Sequence, residues 1–299
     1  MKKISLSIPE FQWKLGDKGA LDVAHELGLS YVDLDLSYHF TGKENDIYNS
    51  LSKEDVVRYF EDVKKHADSL KVTVCQTHGR IRAYKYNDPD FNAKQKESAE
   101  LDILATKALG AKYCVMHAVH LPPEEAPEHQ RELNDLMFND FLKIAHRENI
   151  MIANETLGAA KKADGGRTVD FFGNCEEFTA SLDRFLAMPE YSGSLCVCMD
   201  TGHSHRAAYF EGQPSCPELI RRLGSNIKCL HLNDNDGIED MHLAPRMGNA
   251  DWNEIMAALH DINYDGVYNM ELDLRRFGYN VPMMKQYAAF AISIMDSML

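Results

Sequence analysis

Leu195-Cys196-Val197-Cys198-Met199-Asp200-Thr201-Gly202-His203 opens with five apolar residues, reaches a carboxylate, and turns at once into Thr-Gly-His. A run that is apolar at every position, not at alternate ones, suits a strand buried on both faces of a parallel sheet. Its polar end marks where the chain leaves that sheet. Seven further runs of similar character lie on either side: Ile4–Ile8, Tyr31–Leu36, Val72–Thr77, Tyr113–Ala118, Ile150–Thr156, Ile227–Asn233 and Gly266–Leu272. Amphipathic segments of helical length separate them, among them Glu54–Leu70, Lys94–Leu109, Arg131–Glu148 and Trp252–Ile262. Leu27-Gly28 and Leu109-Gly110 put glycine where a helix ends in a left-handed cap. Pro282–Leu299 reads as an apolar closing helix whose Met residues pack, and Asp164-Gly165-Gly166 as an ordinary loop. Eight β/α alternations without a linker predict one α/β domain over 1–299, a closed (β/α)8 TIM barrel, with an open doubly wound sheet as the alternative. Neither GxGxxG nor GxxxxGK[ST] follows any run, so the nucleotide-binding form of the open sheet loses its main support.

The 299 residues carry 46 acidic against 32 basic side chains, a formal net charge of −14. Such a surface repels phosphodiester backbones, which argues against a nucleic-acid partner. The start, MKKISLSIPEFQW, lacks the apolar run of a signal peptide, and no stretch is long and apolar enough to span a bilayer. These features predict a cytoplasmic protein without a membrane partner. Cys75, Cys114, Cys196, Cys198 and Cys229 fall inside β-like runs, where a thiol serves as a small buried hydrophobe. Seven cysteines without CxxC spacing make neither a disulfide framework nor a zinc ribbon.

In a (β/α)8 barrel the chemistry gathers at the C-terminal strand ends. Read to their ends, the third to eighth runs deliver His78, His117, Glu155, Asp200 with His203, His231 followed by Asp240 and His242, and Glu271. Taken singly, a strand-end histidine is most often a hydrogen-bonded structural group, and a strand-end carboxylate is often a cap for the next helix. Glu155 and Glu271, however, sit within apolar runs, where an unpaired buried carboxylate costs several kcal/mol. A shared cation would relieve both. His25, His66, His146 and His260 fall on helices and His129 at a helix start; His39, His120 and His205 read as loop residues without a motif.

At these positions the chain resembles the xylose-isomerase-like barrel superfamily of sugar isomerases, ketose 3-epimerases, inosose dehydratases and isomerases, and endonuclease IV. The resemblance runs along nearly the whole chain. It is most specific at Met199–His203, at His231–Gly237 continuing through Asp240-Met241-His242, and at Gly266–Glu271. It implies that Glu155, Asp200, His231 and Glu271 hold a divalent metal (Mn2+, Co2+ or Mg2+, with Zn2+ favoured if further histidines bind). It implies that His203 contacts substrate, with His78, His117, Asp240, His242 and Arg246 as further candidates. Ketohexose 3-epimerases carry an arginine six residues beyond the histidine ligand and a glutamate six beyond the first glutamate. Here those positions are Gly237 and Lys161, which argues against that substrate class. Related sugar enzymes have glycine where Arg246 stands, so Arg246 is read either as a substrate contact or as a surface pair. His78, His117, Glu155, Asp200, His203, His231, Asp240, His242 and Glu271 also match the three-zinc set of endonuclease IV.

The implied chemistry is isomerisation or epimerisation of a small sugar. The metal stabilises negative charge on a chelated carbonyl and hydroxyl, while Glu155 and Glu271 move the proton as an acid/base pair. A dehydratase or abasic-site endonuclease on the same residues, and a barrel that binds sugar without turnover, are the alternatives. The sequence leaves the oligomeric state open.

Overall fold

The computed structural model describes residues 3–37, 52–119 and 121–299. Its main sheet holds β1 (Ile4–Ser7), β2 (Tyr31–Asp35), β3 (Thr73–His78), β4 (Tyr113–Met116), β5 (Met151–Glu155), β8 (Leu195–Asp200), β9 (Ile227–His231) and β10 (Tyr268–Met270). The eight lie in the order β10-β1-β2-β3-β4-β5-β8-β9, each parallel to its neighbour. A parallel bridge from Leu232 to Met270 brings the last edge strand to the first. There the Leu232 amide donates to the Asn269 carbonyl at 2.8 Å, and the sheet is a nearly closed (β/α)8 barrel. The closed-barrel expectation holds over the open sheet.

Nine α-helices surround it among the described residues: α1 (Pro9–Glu26), α2 (Lys53–Leu70), α3 (Pro89–Ala108), α4 (Pro127–Glu148), α5 (Cys175–Leu186), α6 (Thr201–Ala207), α7 (Cys216–Leu223), α8 (Trp252–Asp261) and α9 (Val281–Met298). Gly28 and Gly110 take φ of +77° and +78° just past α1 and α3, as the left-handed cap requires. In α9 the buried residues are Met284, Ala288, Ala291 and Met295, one helical face that packs against β1 and α1. The barrel interior below the mouth is filled by small groups, Val115, Ala153, Cys196, Cys198 and Cys229. All seven thiols are free, and Cys75 alone among them is half-buried instead of buried.

The loop reading at Asp164-Gly165-Gly166 stands with two short strands added around it, and the reading of His205 changes. The loop at Asp164-Gly165-Gly166 is the turn of an antiparallel hairpin, β6 (Ala159–Lys161) with β7 (Arg167–Val169). Its three-residue strands are only partly buried, so no apolar run announces them. His205 lies within α6, not in a loop. His39 and His120 lie outside the described residues.

Register sets the height of the site. Glu155 pairs with Cys198, and Asp200 with His231, so the last residues of β5, β8 and β9 reach the same mouth. His78 ends β3, His117 follows β4, and Glu271 follows β10.

Candidate metal centre and its cavity

The structure brings the strand-end residues into one cluster. One ligand atom from each of Glu155, Asp200, His231 and Glu271 lies within 4.8 Å of the other three. Two more groups of the same compactness adjoin it, His78 with His117 and Glu155, and His203 with Asp240 and His242.

Each position has a local cause. Asp200 ends β8 and is also the N-cap of α6, as a strand-end carboxylate often is. Its Oδ1 accepts from the His203 amide at 2.7 Å, while Oδ2 accepts from Asn233 Nδ2 at 2.9 Å. Gly202 allows that turn: a Cβ there would stand 1.8 Å from Asn233 Oδ1, so the Asp-Thr-Gly-His motif needs its glycine for packing. His203 then donates through Nδ1 to the Thr156 carbonyl, 3.0 Å away, and its Nε2 faces Asp240 Oδ2 at 3.4 Å. Arg206 Nη1 holds Asp240 Oδ1 at 3.2 Å.

Glu155 is the hub. Its Oε2 lies 2.9 Å from His117 Nε2 and 3.5 Å from His78 Nε2, and its Oε1 lies 3.2 Å from His231 Nδ1. Glu271 Oε2 approaches the same His231 nitrogen at 3.4 Å and His242 Nδ1 at 3.4 Å. Burial pushes the Glu155 carboxyl up, but His117 and His231 beside it prevail and hold it well below the usual carboxylate range. For Glu271 burial wins, and its carboxyl sits above the usual range. Burial works against charge on His78 too, yet Glu155 and Asp35 lift its pKa to about 10.

Do these residues suit a metal? His231 Nδ1 and Glu155 Oε2 are buried, and beyond the ion-pair contacts within the cluster neither makes a hydrogen bond. Buried polar atoms left in that state are costly, and a cation bound among them removes the cost. Three carboxylates and one imidazole form a hard, oxygen-rich donor set. The residues fit.

Arg246 is the one candidate that the structure does not bring to the cluster. With φ of +68° it turns outward, and its Nη2 donates to Asn253 Oδ1 at 2.7 Å on α8. It is exposed there, which favours the surface-pair reading over the substrate contact. Lys161 lies in the β6–β7 hairpin, and the Gly237 position is closed off by Tyr209, whose ring would stand 2.1 Å from a Cβ there. A side chain there would have to displace the exposed Tyr209 ring.

The cluster floors a cavity of about 640 Å³. Sequence reasoning missed the opposite wall, to which Ser7, Glu10, Trp13, Asp33, Asp35 and Arg275 contribute. Asp33 is the most consequential of these. Its Oδ2 accepts from Ser7 Oγ at 2.8 Å and from Gln76 Nε2 and Asn269 Nδ2 at 3.2 Å each, and lies 3.2 Å from His231 Nε2. The signal was Tyr-Val-Asp-Leu-Asp, two carboxylates on alternate positions of an otherwise apolar run.

Comparison with known proteins agrees with the fold. A solved D-psicose 3-epimerase from Clostridium cellulolyticum H10, with D-tagatose, superposes with a TM-score of 0.73 at 15% identity, covering 99% of each chain. The IOLI protein with a bound zinc atom gives 0.69 at 15% identity, covering 99% of this chain and 97% of the other. Probable endonuclease 4 of Geobacillus kaustophilus (strain HTA426) is 34% identical over 143 residues, 45% of this chain and 42% of that protein. This chain spans half or less of the length of the curated relatives it matches. A family model described as xylose isomerase-like TIM barrel matches residues 21–290, and the chain belongs to that family.

Proposed function

We propose that the chain is a metal-dependent sugar isomerase or epimerase that acts by proton transfer on a small sugar or sugar derivative. The observation that carries this reading is the pairing of Glu155 and Glu271 about a single nitrogen. Their oxygens lie 3.2 and 3.4 Å from His231 Nδ1, from strands on different sides of the barrel, with Asp200 within the same 4.8 Å group. A divalent ion held by Glu155, Asp200, His231 and Glu271 supplies Lewis-acid stabilisation of negative charge next to a carbonyl. Glu155, whose histidine neighbours favour its ionised form, accepts a proton from carbon. Glu271 delivers one from the other side, so a centre between them inverts. His203, His78, His117 and His242 line the cavity and offer hydrogen bonds to hydroxyls. The structural neighbours include an epimerase with a bound sugar and a zinc-bound protein, and both support the reading.

A second reading rests on the two adjoining groups, which give nine metal-type residues at one mouth. Such a set suits several ions and phosphodiester cleavage, in keeping with the endonuclease 4 relative. Metal content separates them. One ion per chain, with deuterium entering a sugar carbon from deuterated water, supports the first reading; three ions with cleavage of abasic DNA and no exchange support the second.

A further inference from the structure

We propose that Arg206 is the built-in cation of the His203–Asp240–His242 group. It takes up the charge and the Asp240 oxygen that an ion there would need, so the mouth loads metal only at its other two groups. This inference rests on the metal reading above and adds to it the residue that limits the number of ions.

By ligand type alone the three groups look equally ready. In the most exposed of them, His203 gives Nδ1 to the Thr156 carbonyl at 3.0 Å, and His242 Nδ1 faces the Glu271 carbonyl at 3.2 Å. Both rings thereby turn Nε2 towards Asp240, at 3.4 Å from Oδ2 and 3.6 Å from Oδ1. Arg206 sets this group apart. It follows His203 by three residues on α6, so the two side chains share a helix face and converge on the same carboxylate. Its Nη1 lies 3.2 Å from Asp240 Oδ1. By contrast, the ion-pair contacts of Glu155, Asp200 and Glu271 among the described residues are all with histidines.

Charge then separates the groups. Affinity for a divalent cation grows with the negative charge of its ligands. The group of Glu155, Asp200, His231 and Glu271 offers three carboxylates, and the group of His78, His117 and Glu155 offers one that no guanidinium touches. In the third, the one carboxylate is already matched by Arg206, and an ion on Oδ1 would meet a like charge beside it. The guanidinium cannot escape by losing its proton, because arginine stays charged in proteins. Nor is it loose. Its side chain is only 11% exposed, Nε donates to the Ile238 carbonyl at 3.2 Å and Nη2 to the Ala159 carbonyl at 3.3 Å. Those acceptors lie in the loop after β9 and at the start of β6, so moving Arg206 aside breaks bonds to two segments.

Zinc content tests this. The metal-free full-length chain and its variants are loaded with excess Zn2+, desalted, and measured for zinc per chain by elemental analysis. The parent holds no more ions than its other two groups can take. Arg206→Met, which keeps the stem and removes the charge, gains one ion, and adding Asp240→Asn to it removes that ion again. Arg206→Lys keeps a cation and stays with the parent. Asp240→Ala in the parent background leaves the zinc content unchanged, which tests the same point without touching Arg206, should Arg206→Met fail to fold. Three ions in the parent, an ion lost in Asp240→Ala, or no gain in a folded Arg206→Met overturns the proposal. An ion lost in Arg206→Met also overturns it, since Arg206 would then be orienting a metal ligand. A parent that takes no zinc ends the metal reading above, and the gain in Arg206→Met still decides this one.

Discussion

Asp33 Oδ2 lies 3.2 Å from His231 Nε2, on the side of the ring away from Glu155 and Glu271. A carboxylate on one ring nitrogen fixes the tautomer and presents the other nitrogen to a metal. Ser7, Gln76 and Asn269 hold Asp33 in turn, so the imidazole has little freedom. Asp33→Asn is expected to weaken Mn2+ binding roughly 10–100-fold, the usual scale for such an orienting partner. Asp200→Ala and His231→Ala remove a donor outright and should lose nearly all metal. Calorimetric titration of the apo-protein with Mn2+ checks the order; equal affinity in Asp33→Asn and the parent would remove Asp33 from the argument.

Arg82 and Asp102 form a buried ion pair under the segment that follows His78. Arg82 is 3% exposed and Asp102 fully buried, and Asp102 Oδ2 also accepts from the Arg80 amide at 3.0 Å. Deleting one member of such a pair leaves the other charge buried alone, a loss of roughly 3–5 kcal/mol. Arg82→Ala should lower the unfolding free energy by about that amount. The double variant Arg82→Met with Asp102→Leu should recover much of it, since a well-packed apolar pair replaces the ions. Urea unfolding reads both; a single variant within 1 kcal/mol of the parent, a figure of about the surface-pair scale, contradicts the assignment.

Glu10 gives a pH-dependent prediction. Burial pushes its carboxyl up to about 7, with Asp273 adding to the rise and its own backbone amide and Arg275 opposing it. The folded state therefore holds the proton more tightly than the unfolded chain. The associated stability is complete below about pH 4.5, where both states are protonated, and is lost as pH rises through about 7. Glu10→Gln lacks this term. Its stability relative to the parent should rise between pH 4 and pH 8 by on the order of 3 kcal/mol. Parallel stability curves for the two proteins would show that Glu10 ionises freely.

The barrel was legible because both-face burial leaves continuous apolar runs, and β8 was read to the residue. Nine strand-end residues could be named because a barrel's topology sends every strand end to one mouth. What the chain does away from the strands left weaker traces. The β6–β7 hairpin has no buried face to write an alternation, and Asp33 was hidden within a run read only for its hydrophobicity. Arg246 depended on a left-handed backbone turn that aims it at Asn253 on the next helix, and nothing in the local pattern encodes that turn.

The two glutamates decide the mechanism. Glu155 and Glu271 each approach His231 Nδ1 and each line the cavity, and in the mechanism proposed above each would both hold a metal and reach a bound carbon. Replacement by glutamine keeps the shape and one donor oxygen but removes the group that accepts a proton. Glu155→Gln and Glu271→Gln should therefore keep measurable Mn2+ at high concentration while losing on the order of 10²-fold or more in turnover, the scale of general acid–base catalysis. In deuterated water the parent should place deuterium at the carbon beside the carbonyl, because the abstracted proton exchanges before one is returned. A hydride shift would keep the substrate hydrogen, a phosphodiesterase would exchange no sugar proton, and a binding barrel would give neither exchange nor product. Because the pair acts from two sides, the variants should also differ from each other. The one lacking the base loses exchange and turnover together, and the one lacking the acid retains exchange into the substrate while losing product. Full turnover in both glutamine variants would make the pair structural and end the proton-transfer mechanism.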